Sequence, residues 1–335
     1  MRSSLAALVA LCPLWPSANC RFAKELDDAE RLMKAGEFRQ AIAELRQVAE
    51  AAPACDPDQY HLLAVAWLNL KSNENALAAA EQGIRVFPNS VPLQQYYVSL
   101  LSVVSSKQDA AMRLERALAM TPESVVYQRA LGVVLLDLNP ESERAGSLLS
   151  GVIRGSPHDV ESRCYYAKWL CSMHREADAV RQLDQALEDR PDREVEANIY
   201  RLKAVAEDRL NHVDAARSAY EKAIELNRLA PKPGYAAELE YAEFWMRRSQ
   251  DQRAKEVLRA LLAHAPDLGL AHFDLARILA HANDFNAAIQ EAGIALQYAP
   301  GIAEQKPIRI LLIRTLHAAG RDEEAHVHQE WVDAH

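Results

Sequence analysis

Apolar residues recur along this chain every three to four positions, in short stretches interrupted at regular distances. The stretch FAKELDDAERLMKA puts Leu26, Ala29, Leu32 and Met33 on one face, and RQAIAELRQVAEAAP puts Ala41, Ile42, Leu45 and Val48 on a second. Gly36 stands where the first helix must stop and Pro53 where the second must stop. The pattern therefore predicts antiparallel helix pairs, each helix about 12–14 residues long. The pairs repeat. An alanine precedes a proline by twelve residues at Ala41/Pro53, Ala76/Pro88, Ala110/Pro122, Ala145/Pro157, Ala179/Pro191, Ala254/Pro266 and Ala288/Pro300. The first five alanines step by 35, 34, 35 and 34 residues, and Ala216 and Ala325 keep the phase without a proline. One helix pair cannot bury both of its apolar faces, so a period of this size implies stacked repeats.

Aligned on those alanines, nine units start near Phe22, Pro57, Val91, Val125, Val160, Ala197, Tyr235, Gly269 and Lys306. Their eighth position holds Ala29, Ala64, Gly132, Ala167, Ala204, Ala242 and Ala276, with Val98 and Ile313 as departures. Small residues there let two helices cross closely. The eighth unit reads HFDLARIL, then NDFNAAIQEAGIAL, then QYAP, and the sixth contains AARSAYEKAIELN. On these residues the chain resembles the tetratricopeptide-repeat (TPR) family, from about Phe22 to Val332. The resemblance implies an all-α, right-handed solenoid of eighteen helices. Residues 19–228 would hold repeats 1–6 and residues 235–335 repeats 7–9. Residues 229–234 (LAPKPG) would form a connecting insertion, read either as a longer loop or as a hinge near Pro231.

Composition narrows the function. A formal net charge of −9 argues against general nucleic-acid binding, which needs a basic face. No P-loop, GxGxxG, GxSxG or HExxH occurs, and the repeats leave no room for a separate catalytic domain, so a non-enzymatic protein without a cofactor is expected. The N-terminus differs in kind. Arg2, the apolar run Leu5 to Leu14 and then Pro16, Ser17 and Ala18 read as a secretory signal over residues 1–18, against the alternative of a docking segment on a cytoplasmic protein. Cys20 just beyond resembles a bacterial lipoprotein anchor, which would bring the chain to a membrane. Cys55 falls in a connecting turn, while Cys164 and Cys171 lie seven residues apart on one helix, about 10.5 Å by rise and too far for a disulfide. The cysteines are thus not expected to form a disulfide framework.

Candidate chemistry is sparse. His317, His326, His328 and His335 crowd the C-terminal region without metal-ligand spacing and read as surface residues. Trp67, Trp169, Trp245 and Trp331 fall near core positions of the repeat. In the family, the second, fifth, ninth and twelfth or thirteenth positions of each first helix line the concave groove. Carried over, that pattern selects Glu30, Asp58 and His61 early in the chain. It then selects Arg129, Lys168, Arg201, Arg209, Arg247, Arg277 and Arg314, with acidic Asp137, Glu161, Asp208 and Glu243. Leu239, Met246, Leu270 and Phe273 are apolar neighbours. Leu26 and Glu30 do not match the family's carboxylate clamp for chaperone tails. The surplus of basic positions suggests a protein or peptide partner with acidic side chains or a C-terminal carboxylate. The resulting expectation is a protein-binding scaffold of the bacterial cell envelope, exported to the periplasm. An assembly factor for secretion, pilus or polysaccharide export, or a specificity subunit of an enzyme complex, are the alternatives.

Overall fold

The computed structural model describes residues 20–229 and 234–335. Among them are eighteen α-helices and no strand. One compact unit ends at Gln182 and a second begins at Leu183. The first contains α1 (Ala23–Ala35), α2 (Phe38–Ala51), α3 (Asp58–Asn69), α4 (Asn73–Val86), α5 (Val91–Val104), α6 (Lys107–Met120), α7 (Val125–Leu138), α8 (Glu143–Gly155) and α9 (Val160–Ser172). Helix α10 (Glu176–Glu188) spans the boundary. The second unit continues with α11 (Arg193–Arg209), α12 (Val213–Arg228), α13 (Ala236–Arg247), α14 (Asp251–Leu262), α15 (Gly269–His281), α16 (Phe285–Gln297), α17 (Ile302–Ala318) and α18 (Asp322–Ala334). The expected signal segment and residues 230–233 of the expected connection lie outside the described residues.

The recurring alanines explain the stacking. Ala41, Ala76, Ala110, Ala145, Ala179, Ala216, Ala254, Ala288 and Ala325 are all between 0 and 4% exposed, because each sits where helices approach most closely. Their prolines have a second role, which the period alone did not disclose. A side chain six residues downstream donates to the proline carbonyl: Gln59 to Pro53 (2.6 Å), Gln94 to Pro88 (2.6 Å), Gln128 to Pro122 (2.7 Å) and Arg163 to Pro157 (2.8 Å) in the first unit. In the second, His272 Nε2 donates to Pro266 at 3.0 Å. Each bond ties the end of one pair to the start of the next and satisfies a backbone carbonyl of the connecting turn.

Within most pairs the turn is made by one residue with positive φ. Gly36 and Gly320 adopt it freely, whereas Lys71, His174, Asn211, Ser249 and Asn283 do so at a steric cost. Helices α11 and α17 run 17 residues, one turn longer than the repeat pattern predicts. Asp192 caps α11 by accepting from the Val195 amide at 3.0 Å, so the helix starts directly after Pro191 rather than near Ala197. In α17 Pro307 lies inside the helix instead of opening it.

The cysteine expectation is corrected. Cys20 and Cys55 form a disulfide with Cα atoms 5.2 Å apart. They lie 35 residues apart, one repeat, so stacking sets equivalent turn positions side by side. The bonded Cys20 sulfur is not open to the thioether that a lipid anchor requires.

Candidate functional site: the first-helix face

In the second unit the groove positions of α15 and α17 repeat one local pattern, an apolar side chain followed one helical turn later by arginine. The pairs are Phe273 with Arg277 and Ile310 with Arg314. A spacing of four residues puts both members on one face. Leu270 and Ile310 are 59% and 43% exposed. Phe273 is half-buried, packed on the core of Ile308 and Leu312, with the Arg277 guanidinium 5.9 Å from its ring. Arg314 is exposed on α17.

Arg277 and Arg247 line one cleft of about 520 Å3, floored by Met246 and Ile278 and edged by Glu243 and His281. Each arginine is held by a sheltered carboxylate. Arg277 donates to Asp274 at 2.9 Å, and burial pushes the Asp274 carboxyl up against the opposing pull of Arg277. Asp208 accepts from Arg247 at 2.5 Å and from Arg248 at 2.6 Å. Arg277 and Arg247 still keep 45% and 52% of their side chains exposed. Arg247 also meets Glu243 at 3.7 Å, whereas Arg277, held by Asp274, presents its remaining N–H groups in a set direction.

The remaining sequence-selected residues divide differently. Arg201 is only 19% exposed and is taken up by Glu240 at 2.6 Å and Asn198 at 2.9 Å, so it holds α11 to α13 rather than facing a partner. Arg209 is exposed at the end of α11. In the first unit Arg129 meets Asp159 at 3.2 Å and Glu161 at 3.1 Å, and Lys168 lies 4.9 Å from the Tyr165 ring. The basic surplus read along the chain is thus largely matched by carboxylates. Arg201–Glu240 and Asp208–Arg247 both span 39 residues, one repeat plus the connection. That offset was the available signal for these pairs.

At the other end of the chain the groove positions are acidic. Asp58 has its carboxyl pushed up to about 6 by burial, with Asp56 and Glu30 adding to it. His61 is buried with both ring nitrogens unpaired, its ring 4.3 Å edge-on from Tyr96, and burial pushes it down to about 4. Trp245 is buried, Trp67 and Trp169 pack on core clusters, and Trp331 stacks between Arg309 and His335. His317 and His326 face Asp322 and Glu330. Among the described residues no helix is long and apolar enough to cross a membrane.

Comparison with known proteins bears on this arrangement. Tetratricopeptide-repeat family models match residues 26–90 and residues 197–228. The TPR repeat-containing protein PA4667 of Pseudomonas aeruginosa is 26% identical over 179 residues, which cover 52% of this chain and 30% of that protein. The chain thus spans less than a third of the length of this curated relative. A tetratricopeptide repeat protein from Parabacteroides merdae ATCC 43184 superposes with a TM-score of 0.59 at 12% identity, covering 78% of this chain and 98% of that one. Yeast Tom70 gives a TM-score of 0.54 at 18% identity, covering 98% and 69%. Both structural likenesses show the fold. Stacked helix pairs of this kind are general platforms for binding proteins and peptides. With the repeat matched in both compact units and the same fold in known repeat proteins, the chain carries tetratricopeptide repeats and has the fold of a tetratricopeptide-repeat solenoid.

Proposed function

We propose that the chain is a non-enzymatic scaffold that holds an acidic or carboxylate-ended segment of a partner protein against the first-helix face of its second unit. Arg277 and Arg314 meet the carboxylates, Arg247 extends the row, and Leu270, Phe273 and Ile310 seat the apolar side chains between them. The observation that carries this reading is the doubled pattern on α15 and α17: exposed apolar surface beside arginines, with Arg277 fixed by a buried aspartate. A contact to a charged group is worth about 1.5–3 kcal/mol when desolvated, against about 0–1 for an exposed ion pair. Two such contacts suffice for a change of tenfold or more in affinity.

The cell envelope is the setting this reading favours. Its support is the basic, apolar and small-residue order of residues 1–18, together with a disulfide between Cys20 and Cys55, since such bonds persist in oxidising compartments.

The test is capture of the partner from an envelope extract of the native host. Arg277→Glu with Arg314→Glu should lower capture at least tenfold without changing helicity. Arg259→Glu, an exposed site on the second helix α14, should capture as wild type does. Equal capture by the double variant would refute the groove assignment.

A further inference from the structure

The connection between α14 and α15 is tied by a different kind of side chain from those of the first unit. Gln59, Gln94 and Gln128 give an amide N–H to their proline carbonyls and Arg163 a guanidinium N–H, groups that keep their protons near neutral pH. The equivalent residue in the eighth pair is His272, which is 8% exposed. Its Nε2 lies 3.0 Å from the Pro266 carbonyl, and its Nδ1 lies 2.6 Å from a carboxylate oxygen of Glu291 on α16. The 19-residue step from His272 to Glu291 is also the step from Arg163 to Gln182, which bond at 2.7 Å. Helix α15 begins without a side-chain cap, so the tie from His272 is what secures its entry.

Both partners of the ring are acceptors. A neutral imidazole has a single N–H and can make only one of the two bonds. Making both requires one further proton, carried by the ring as imidazolium or by the Glu291 carboxyl, which would then donate to Nδ1. No other group supplies it. Among the described residues nothing else bonds to the ring or to the Glu291 carboxyl, and no other ionisable group contacts the ring from α13, α14, α16 or α17. On α15 itself Asp274 is taken by Arg277 at 2.9 Å, and on α13 the buried Glu238 has Arg228 and His264 beside it. Loss of the proton turns the Nδ1 lone pair toward the carboxylate, or leaves the Pro266 oxygen without its donor.

We propose that His272 and Glu291 form a proton-operated clamp, which fixes the α14–α15 connection to α16 while the proton is held and lets it loosen when the proton leaves. Imidazole is the side chain that ordinarily changes charge between about pH 5 and 8, which makes this connection, unlike those tied by glutamine or arginine, responsive to pH. The folded clamp holds a proton that its release would cost a bond, so its stabilisation is present at lower pH and is lost as the pH rises. The clamp is independent of the arginine face, and no partner takes part in its test.

The test uses the full chain without a ligand. NMR follows the His272 ring nitrogens and the Glu291 carboxyl carbon from pH 6 to 9, with signals assigned by their loss in His272→Gln and Glu291→Gln. At pH 6 the pair should hold the extra proton, on both ring nitrogens or on the carboxyl. On its release the bonded amides of Leu268, Ala271 and His272 should lose protection from hydrogen exchange by about fivefold or more, after correction for intrinsic rates. His272→Gln restores the residue of the earlier pairs and should remove this pH dependence. Glu291→Gln should remove it too, because its amide donates to Nδ1 and lets a neutral ring keep both bonds. A neutral imidazole beside an ionised Glu291 at pH 6 would overturn the proposal. Protection unchanged up to pH 9, or an equal pH dependence in the variants, would overturn it as well. Should one variant fail to fold, the other and the wild-type spectra still decide.

Discussion

Asp58 opens α3 with Asp56 and Glu30 acting on it, and its carboxyl stays protonated up to about pH 6. A carboxyl raised in the folded state binds its proton more tightly there than in the unfolded chain. Its contribution is therefore fully present below about pH 4 and is lost as the pH rises through about 6. Asp58→Asn removes that loss. Discounted for the group's partial exposure, the gain is about 1 kcal/mol at pH 8 and near zero at pH 4. Thermal melts at the two pH values check this, and an equal change at both would contradict it. The residue scale was also where the sequence misled. A count of groove positions found the arginines, yet Glu240, which neutralises Arg201, and Asp274, which holds Arg277, were not on the groove list. Ion pairs between repeats depend on side-chain reach across neighbouring helices, and a one-dimensional count does not carry that information.

Helices were far more legible. The apolar period, Gly36 and the prolines placed the hairpins, because stacked repeats depend on local contacts and on neighbours at a fixed offset. The long starts of α11 and α17 were missed because a cap at Asp192 and an interior Pro307 override the repeat phase. The disulfide was missed although its 35-residue spacing equals the repeat. Equivalent turns of stacked pairs meet in space, which turns a sequence period into a proximity rule. The staple from Cys20 to Cys55 closes a loop around α1 and α2, so it matters most for those two helices. Reduction should destabilise them by about 2–4 kcal/mol. Hydrogen exchange with and without a reductant should show faster exchange in Ala23–Ala51 and little change beyond α4. Intact mass under non-reducing conditions should be lower by the two hydrogens that the bond removes. Uniform acceleration along the chain, or an unchanged mass on reduction, would contradict the staple.

The molecule as a whole divides its first-helix surface by chemistry. The first unit offers acidic positions near Asp58, whereas the second offers apolar side chains beside Arg247, Arg277 and Arg314. Nothing in the net charge of −9 announces this, since the sum conceals its distribution. The fold class, by contrast, followed from the repeat alone. The central claim is that a partner lies on the first-helix face of the second unit, and a position-specific photo-crosslink tests it most directly. A benzophenone side chain replaces Leu270 in one variant and Arg259 in another, and each full-length protein is irradiated in envelope extract. The account predicts one discrete crosslinked partner from position 270, suppressed by Arg277→Glu with Arg314→Glu, and none from position 259. A partner crosslinked from position 259 and absent from position 270 would contradict it.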